Sequence, residues 1–498
     1  MGFFERAKAI VGPDSITNSR EVCRAYGYNT FLSYKQRNLS TEMIVMPHNV
    51  QEVAEVIKLA NEYKVPITPK GIAGGTGFGG PLKGGVLLDL FHMDKVLLVD
   101  PVNYKAIAEP ACSFFKFSQE IFKAGMMIPT SEYTCGPNVA ASAITPVNAF
   151  GKTRYGRNCD LVEGFEVVLP TGEICAVGSL AYENTYFGPF YRYIHGSDLV
   201  GLFIQSNGAF GIVTKVAYMC QKRPPYWSSC TYYWKEDEAG LCTEAMTEST
   251  ALELFDIHLN DKWKYEFTTS VGSRGKLKSI LPDDAYFVLH FTINAFSEDE
   301  LTAKLNIIDD LCQKLKGVKL GDEVGNTFFD TWPTMHAPVI HPLNYGMWDC
   351  LYDLNRTNYH FIYDSINYPT SKFPEVYGKI REICSKYGLW GFPRPAVYDG
   401  FPMRGQVICS QTWSFINSRE DEQLTNMFNC RDEFREWFGS VGGTHQQHIP
   451  PITPEYVWDN QRSDYELLRI IKKALDPNNI LSPGTYSEIW GGVKQYGF

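Results

Sequence analysis

Pro69-Lys70-Gly71-Ile72-Ala73-Gly74-Gly75-Thr76-Gly77-Phe78-Gly79-Gly80-Pro81 decides how the chain is read. Six of the ten residues from 71 to 80 are glycine, and each costs conformational entropy on folding, so the run needs a reason. A flexible linker is a poor one, because the run is wedged between two apolar strand-like stretches, residues 64–69 and 85–90. A formal G-x-G-x-x-G stands at Gly75, Gly77 and Gly80, but that fingerprint works by aiming a helix N-terminus at a pyrophosphate. Here Pro81-Leu82-Lys83-Gly84-Gly85 and a strand follow, so the Rossmann reading fails on context. The chain also lacks G-x-x-x-x-G-K-[ST], the triphosphate loop. What is left is a loop whose bare backbone N–H groups form a nest for a diphosphate.

Upstream, residues 47–64 predict a helix, with Asn49 and Glu52 spaced as a capping box and Val53, Ile57 and Ala60 on one stripe. Downstream, residues 96–99 predict another strand. A second run of small residues, Thr134 to Ala143, would let backbone pack flat against a planar ring. A third, Gly201 to Lys215, reads as helix, turn and strand. Arg223-Pro224-Pro225 breaks the pattern and predicts a boundary near 222–226. Beyond it, strand-like 286–289 precedes a helix capped by Ser297, and strand-like 406–409 precedes a helix over 419–438. Such repetition suits an antiparallel sheet covered by helices on one face. The tail predicts a helix with Leu467, Leu468, Ile471 and Leu475 inward, stopped by Asp476-Pro477-Asn478-Asn479.

The 498 residues, 44% hydrophobic and 20% charged, exclude a disordered chain and imply two or more lobes. A net charge of −10 without a basic tract argues against nucleic acid as a partner. No stretch approaches the about 18 uninterrupted apolar residues of a membrane span, and the N-terminus lacks a signal-peptide core, which predicts a cytoplasmic protein. The 13 Cys include no C-x-x-C pair, so buried reduced thiols are expected, not a cluster or zinc site. All ten Trp lie from Trp227 onward, which hints at two differently built parts.

The ordered set P-K-G-x-A-G-G-T-G-x-G-G, G-x-N-V-A, Y-G…E-V-V-L-P-T-G-E and G-x-D-L-x-G-L-F-x-x-S-x-G-x-x-G-I-V-T covers most of residues 40–222. It resembles the flavin domain of the vanillyl-alcohol oxidase and p-cresol methylhydroxylase superfamily, and Ala474–Gly484 is similar to that family's closing segment. The resemblance implies an α+β protein. A two-lobed FAD-binding domain would span 1–225, a cap with a helix-covered antiparallel sheet 226–450, and a segment returning to the FAD domain 451–498. It implies FAD held by Pro69, Lys70, Gly71, Ala73, Gly74, Gly75, Thr76, Gly77, Gly79 and Gly80. Gly136, Asn138, Val139, Ser142, Tyr155, Gly211, Ile212 and Val213 would complete the site.

An enzyme of this type passes a hydride from substrate to flavin while the protein supplies orientation and a base. His445 and His448, in Gly442-Gly443-Thr444-His445-Gln446-Gln447-His448, are candidate bases; without a neighbouring carboxylate they do not suggest a metal, and none is expected. Arg157 is the candidate for binding a substrate carboxylate or balancing reduced flavin. Features of two branches meet. The cap and tail resemble the branch oxidising phenols and aryl alcohols, whereas the spacing over 196–214 is closer to the glycolate and D-lactate branch.

Departures cut both ways. Arg157 stands where the aryl branch has Asp, and that branch's Tyr-Arg clamp is not reproduced near Thr444–His448. The aryl branch's flavin-linking His-His pair is missing near Met403–Gln406, so FAD is expected to be noncovalent. The hydroxy-acid branch's H-x-G-D-G-N-x-H is missing as well, with Tyr359-His360-Phe361-Ile362-Tyr363 no substitute. The expected activity is oxidation of a small, aromatic alcohol or para-alkylphenol. The alternatives are a 2-hydroxy-acid dehydrogenase, a flavin subunit of a larger electron-transfer complex, or a nucleotide-binding module without flavin. Expected partners are a small-molecule substrate and, if oxygen is not the acceptor, a cytochrome or iron–sulfur subunit; a homodimer is compatible with the sequence.

Overall fold

In the computed structural model the described residues are 2–26, 41–71, 81, 83–129, 138–145, 151–266, 281–321, 359–391, 396–403, 407–417, 421–445 and 462–485. The chain divides into two compact units, one of residues 1–147, 158–222 and 447–498, the other of 148–157 and 223–446. Residues 148–157 thus group with the second unit, inside the stretch the sequence reading assigned to the flavin domain.

The first unit holds β1 (Ile16–Thr17), β2 (Met43–Val45), β3 (Ile67–Lys70) and β4 (Val86–Asp89), in the order β1-β2-β4-β3. β4 runs parallel to β2 and β3 and is buried throughout, as a central strand of a parallel arrangement should be. The helix Val50–Tyr63 starts as its sequence demands. The Asn49 side chain accepts from the Glu52 N–H at 3.0 Å, and the Glu52 carboxylate accepts from the His48 N–H at 2.8 Å. Its Val53, Val56, Ile57 and Ala60 join Val45, Ile67, Val86 and Leu88 in one core, which Ile480 and Leu481 of the tail complete. The tail is tied to β3 by backbone bonds of 2.8 Å (Ile67 N–H to Ile480 O) and 2.7 Å (Ser482 N–H to Ile67 O).

The remaining strands of this unit are β5 (Val96–Asp100), β6 (Lys105–Ala108), β7 (Met126–Met127), β8 (Val162–Val168), β9 (Ile174–Gly178), β10 (Ile212–Met219) and β11 (Gln221–Lys222). Five of them form an antiparallel sheet, β5-β6-β10-β8-β9, and β7 pairs with β11. The β5–β6 turn closes on Asp100, whose carboxylate accepts from the Val102 and Asn103 N–H groups.

The second unit is built on one antiparallel sheet of eight strands: β12 (Tyr226–Trp234), β13 (Asp256–Asp261), β14 (Phe287–Ala295), β15 (Val318–Lys319), β16 (Tyr359–Pro369), β17 (Ala396–Met403), β18 (Val407–Asn417) and β19 (Thr444–His445). Their order is β15-β12-β14-β13-β17-β18-β16-β19. The helices Ala239–Ser249, Glu298–Lys314, Phe373–Lys386 and Asp421–Ser440 pack with it. They cover the face carrying Tyr232, Trp234, Leu289 and Phe287. Tyr232 donates to Asp309 at 2.6 Å, and the Trp234 indole donates to the Leu315 carbonyl at 2.9 Å.

The tail helix, Arg462–Leu475, differs from its expected pattern: Leu467 is exposed, and the inward position is taken by Lys472. Among the described residues nine cysteines are buried, no helix is long and apolar enough to cross a membrane, and no cluster of metal-ligating side chains occurs.

Candidate functional site

In the first unit the three glycine-rich or small-residue runs, far apart in sequence, meet at the end of β3. The helix Val139–Ile144 is capped by Asn138, whose Oδ1 accepts from the Ala141 N–H at 2.6 Å. The Asn138 amide nitrogen lies so close to Gly71 that a Cβ there would come within 1.5 Å of it, so this approach requires glycine. The third run reaches the same place through Gly208, at φ +75°, where a Cβ would fall 2.4 Å from Pro69 Cγ. It also reaches the second run, since the Gln205 N–H donates to the Ile144 carbonyl at 2.6 Å. Gly211 faces Val167 closely enough that a Cβ would sit 2.3 Å from its Cγ1, and Ile212 and Val213 open β10 beside it.

Of the expected cofactor residues, Pro69, Lys70, Gly71, Asn138, Val139, Ser142, Gly211, Ile212 and Val213 therefore belong to one unit. The first two runs meet directly, and the third touches both. Ala73, Gly74, Gly75, Thr76, Gly77, Gly79, Gly80 and Gly136 lie outside the described residues. Lys70 is half-buried, its ammonium over the Tyr26 ring at 4.6 Å. Burial lowers its pKa, and Asp89, its register partner on β4, opposes that shift.

The cradle fits a flat, polar cofactor. Its backbone is stripped of side chains where runs meet, and the fully buried Ser142 hydroxyl has no hydrogen-bond partner among the described residues. A buried hydroxyl left so costs about 1–3 kcal/mol, which a bound group with a polar edge removes.

Tyr155 and Arg157 fall in the second unit, on a stretch anchored to the sheet face opposite the helices. In β13 Asp256, His258 and Asn260 alternate with Ile257 and Leu259; in β14 His290, Thr292 and Asn294 alternate with Leu289, Phe291 and Ile293. Every position of both strands is buried. This is unusual for a half-polar strand, whose polar side is ordinarily solvated. Thr231, His290 and His258 stand directly across from one another, with Thr231 Oγ1 2.9 Å from His290 Nδ1. Asn260 pairs with Asp399; two residues along β17, Phe401 is in line with Cys409 and Asn367, which puts Asn367 in phase with Asn260.

Side-chain and backbone donors hold residues 151–157 to this polar face. Thr153 donates to Asp256 at 2.9 Å, Arg154 to Asn294 at 3.2 Å, and the Arg157 guanidinium to Asn367 at 2.7 Å. Gly151 donates to the other Asp256 oxygen at 3.3 Å, and the Phe255 ring occupies the space its Cβ would need. Burial pushes the Asp256 carboxyl up to about 6, against the pull of Lys152 and these donors. Burial likewise raises the Tyr155 phenol, whose ring packs edge-on against Phe255 at 6.5 Å. The Asn260 carboxamide, fully buried, has neither donor nor acceptor satisfied among the described residues.

Of the histidines expected to be catalytic, His445 ends the edge strand β19 opposite Ile366, one residue out of phase with Asn367; His448 lies outside the described residues. Sequence reading overlooked His258, His290, Asn260 and Asp256. Their signal was available as a strict polar–apolar alternation over residues 256–260 and 289–294.

Residues 41–178 match the family described as "FAD binding domain", and residues 248–486 that of "FAD linked oxidases, C-terminal domain". The chain is 22% identical to glycolate oxidase subunit GlcD of Bacillus subtilis, over 96% of this chain and 95% of that one. It is also 22% identical to the 4-cresol dehydrogenase [hydroxylating] flavoprotein subunit of Pseudomonas putida, over 96% and 94%. Among solved structures, 4-ethylphenol oxidase from Gulosibacter chungangensis superposes with a TM-score of 0.81, covering 99% of this chain and 97% of that one at 16% identity. The cofactor is FAD, and the chain is an FAD-dependent oxidoreductase of the p-cresol methylhydroxylase and vanillyl-alcohol oxidase type of flavoprotein superfamily.

Proposed function

We propose that the enzyme oxidises a small alcohol or para-alkylphenol bearing an anionic or strongly polar oxygen, which Arg157 holds. The observation that carries this reading is the Arg157 guanidinium on the buried polar sheet face, 2.7 Å from Asn367. A planar guanidinium pairs well with a phenolate through charge-assisted hydrogen bonds. FAD, when bound, accepts the hydride. The protein's part is to orient the substrate through Arg157 and the Asn260 carboxamide and to exclude water.

Aromatic content alone does not argue for a ring-bearing substrate. Tyr286, Phe287, Phe373, Tyr377 and Tyr398 pack on one another as core on the helix-covered side. The fold likeness to 4-ethylphenol oxidase over nearly the whole chain supports the phenol reading. A 2-hydroxy acid is the second reading, because Arg157 would bind a carboxylate equally well and GlcD is matched over the same span.

Anaerobic addition of p-cresol, 4-ethylphenol or vanillyl alcohol should bleach the bound flavin, and glycolate or D-lactate should not; the reverse result establishes the second reading. In either case Arg157→Met should slow flavin reduction by about ten- to a hundredfold at unchanged FAD content, the loss expected for one charge-assisted hydrogen bond. We also propose that electrons leave to a protein acceptor, as the description of the Pseudomonas relative as a flavoprotein subunit suggests. Re-oxidation of the reduced enzyme by cytochrome c much faster than by oxygen would bear this out.

A further inference from the structure

Asn158 is the first residue of the 3-10 turn Asn158–Leu161, and its side chain is fully buried. Among the described residues neither its amide nitrogen nor its carbonyl oxygen has a hydrogen-bond partner. The turn packs against the helix Val139–Ile144, whose Ser142 hydroxyl is the other fully buried and partnerless group there. That helix is the one whose cap residue, Asn138, touches Gly71. One donor, one acceptor and one hydroxyl are thus left open on two adjoining elements, beside the place where the first two runs meet. Burying all three without partners would cost several times the about 1–3 kcal/mol of a single unsatisfied group.

The flavin ring has an imide edge with the complementary order of groups: a carbonyl, the N3–H, and a second carbonyl. Adenine, the other heterocycle of FAD, offers a two-group edge, one donor and one acceptor, and leaves the third open group unmatched. We propose that Asn158 reads the imide edge of the flavin, its Oδ1 accepting from N3–H and its amide N–H donating to one adjacent carbonyl, with the Ser142 hydroxyl donating to the other. This assignment rests on FAD being the cofactor. It makes Asn158 a positioning and potential-setting residue, because donors to the imide carbonyls favour the more electron-rich reduced ring.

The test pairs the protein change with a change in the cofactor. Wild-type apoprotein should bind N3-methyl-FAD at least tenfold more weakly than FAD, whereas Asn158→Ala should bind FAD about tenfold more weakly than wild type and barely distinguish the two. Asn158→Asp keeps the size and loses the N–H donor. It should hold reduced flavin about tenfold less well relative to oxidised flavin, equivalent to a two-electron midpoint potential about 30 mV lower. The resonance Raman carbonyl bands of the ring should shift in both variants. Should Asn158→Ala fail to fold, the methylated cofactor on wild type still decides. Equal binding of FAD and N3-methyl-FAD by wild type overturns the proposal. So does a loss in Asn158→Ala that disappears with a hypoxanthine in place of the adenine of FAD, which would assign the side chain to adenine. Wild type that takes up no FAD at all would instead overturn the cofactor assignment itself.

Discussion

Asn260 shows at the level of one side chain how function can oppose stability. Its carboxamide is fully buried on the polar face of β13 without a partner among the described residues, a state that disfavours the fold and persists where a ligand uses the groups. Asn260→Leu should therefore leave the thermal midpoint equal or higher, as replacing an unsatisfied polar group with an apolar one of similar shape does. The same change should raise KM for the true substrate about tenfold. A lowered midpoint with unchanged KM would make Asn260 structural.

Asp256 on the same strand makes a prediction about pH. Burial raises its folded pKa from the ordinary 3.8 to about 6, so between these values the folded chain binds a proton the unfolded chain does not. The contribution is fully present below pH 4 and is lost as pH rises through 6. Wild type should lose up to about 3 kcal/mol across this window from this group, and Asp256→Asn, neutral throughout, should flatten that part of the urea-denaturation profile. A variant profile parallel to wild type between pH 4 and 6 would show that Asp256 is ionised throughout.

Single elements show what could be read in advance and what could not. The helix Val50–Tyr63 was legible to its cap because Asn49 and Glu52 act within one turn of chain, and the Ser297 cap was legible for the same reason, its side chain accepting from the Glu300 N–H. The glycines of β3's exit and of the 201–215 run were legible as a cradle; that Asn138 seats against Gly71 and Gly208 against Pro69 depends on long-range packing that no local pattern encodes. The tail helix shows the limit most clearly. Apolar spacing put Leu467 inside, yet Leu467 is exposed, and Lys472, like Tyr465, is buried. Its ammonium donates to Asp476 at 2.6 Å, the Ala209 carbonyl at 2.9 Å and the Leu481 carbonyl at 2.6 Å. Asp476 in turn accepts from the Ile480 and Leu481 N–H groups at 2.8 Å each. A periodicity argument counts lysine as surface because it cannot foresee three acceptors converging on one ammonium, the Ala209 carbonyl among them brought from a distant segment. Lys472→Met strands the Asp476 carboxylate and should destabilise the protein by about 3–5 kcal/mol in urea titration. Adding Asp476→Asn should recover part of the loss, whereas simple additivity of the two changes would mean that the pair is not coupled.

On the scale of the whole chain, the division at the first tryptophan acquires a more exact form. The path passes between the two units four times, after residues 147, 157, 222 and 446, so neither unit is one continuous stretch. A fragment ending at 225 would keep the glycine run but lose Ile480 and Leu481 from the core that contains Ile67 and Val86. It would lose the backbone bonds those tail residues make to β3, and the Lys472 ammonium that holds the Ala209 carbonyl. Residues 151–157 would meanwhile be exposed without Asp256, Asn294 and Asn367 to accept their hydrogen bonds. The fragment 1–225 should accordingly fail to retain FAD on gel filtration and show a broad, noncooperative melt by circular dichroism. Fusing 1–147 to 158–222 and to 447–498 through short Gly/Ser linkers restores the ties of Ile480, Leu481 and Lys472 to the first unit while omitting the second. This fusion should melt cooperatively and be stabilised by FAD, by about 2.7 kcal/mol at a free concentration one hundred times its Kd. If the 1–225 fragment holds FAD as well as the fusion does, the tail is dispensable to the cradle and the continuous-domain reading is the correct one.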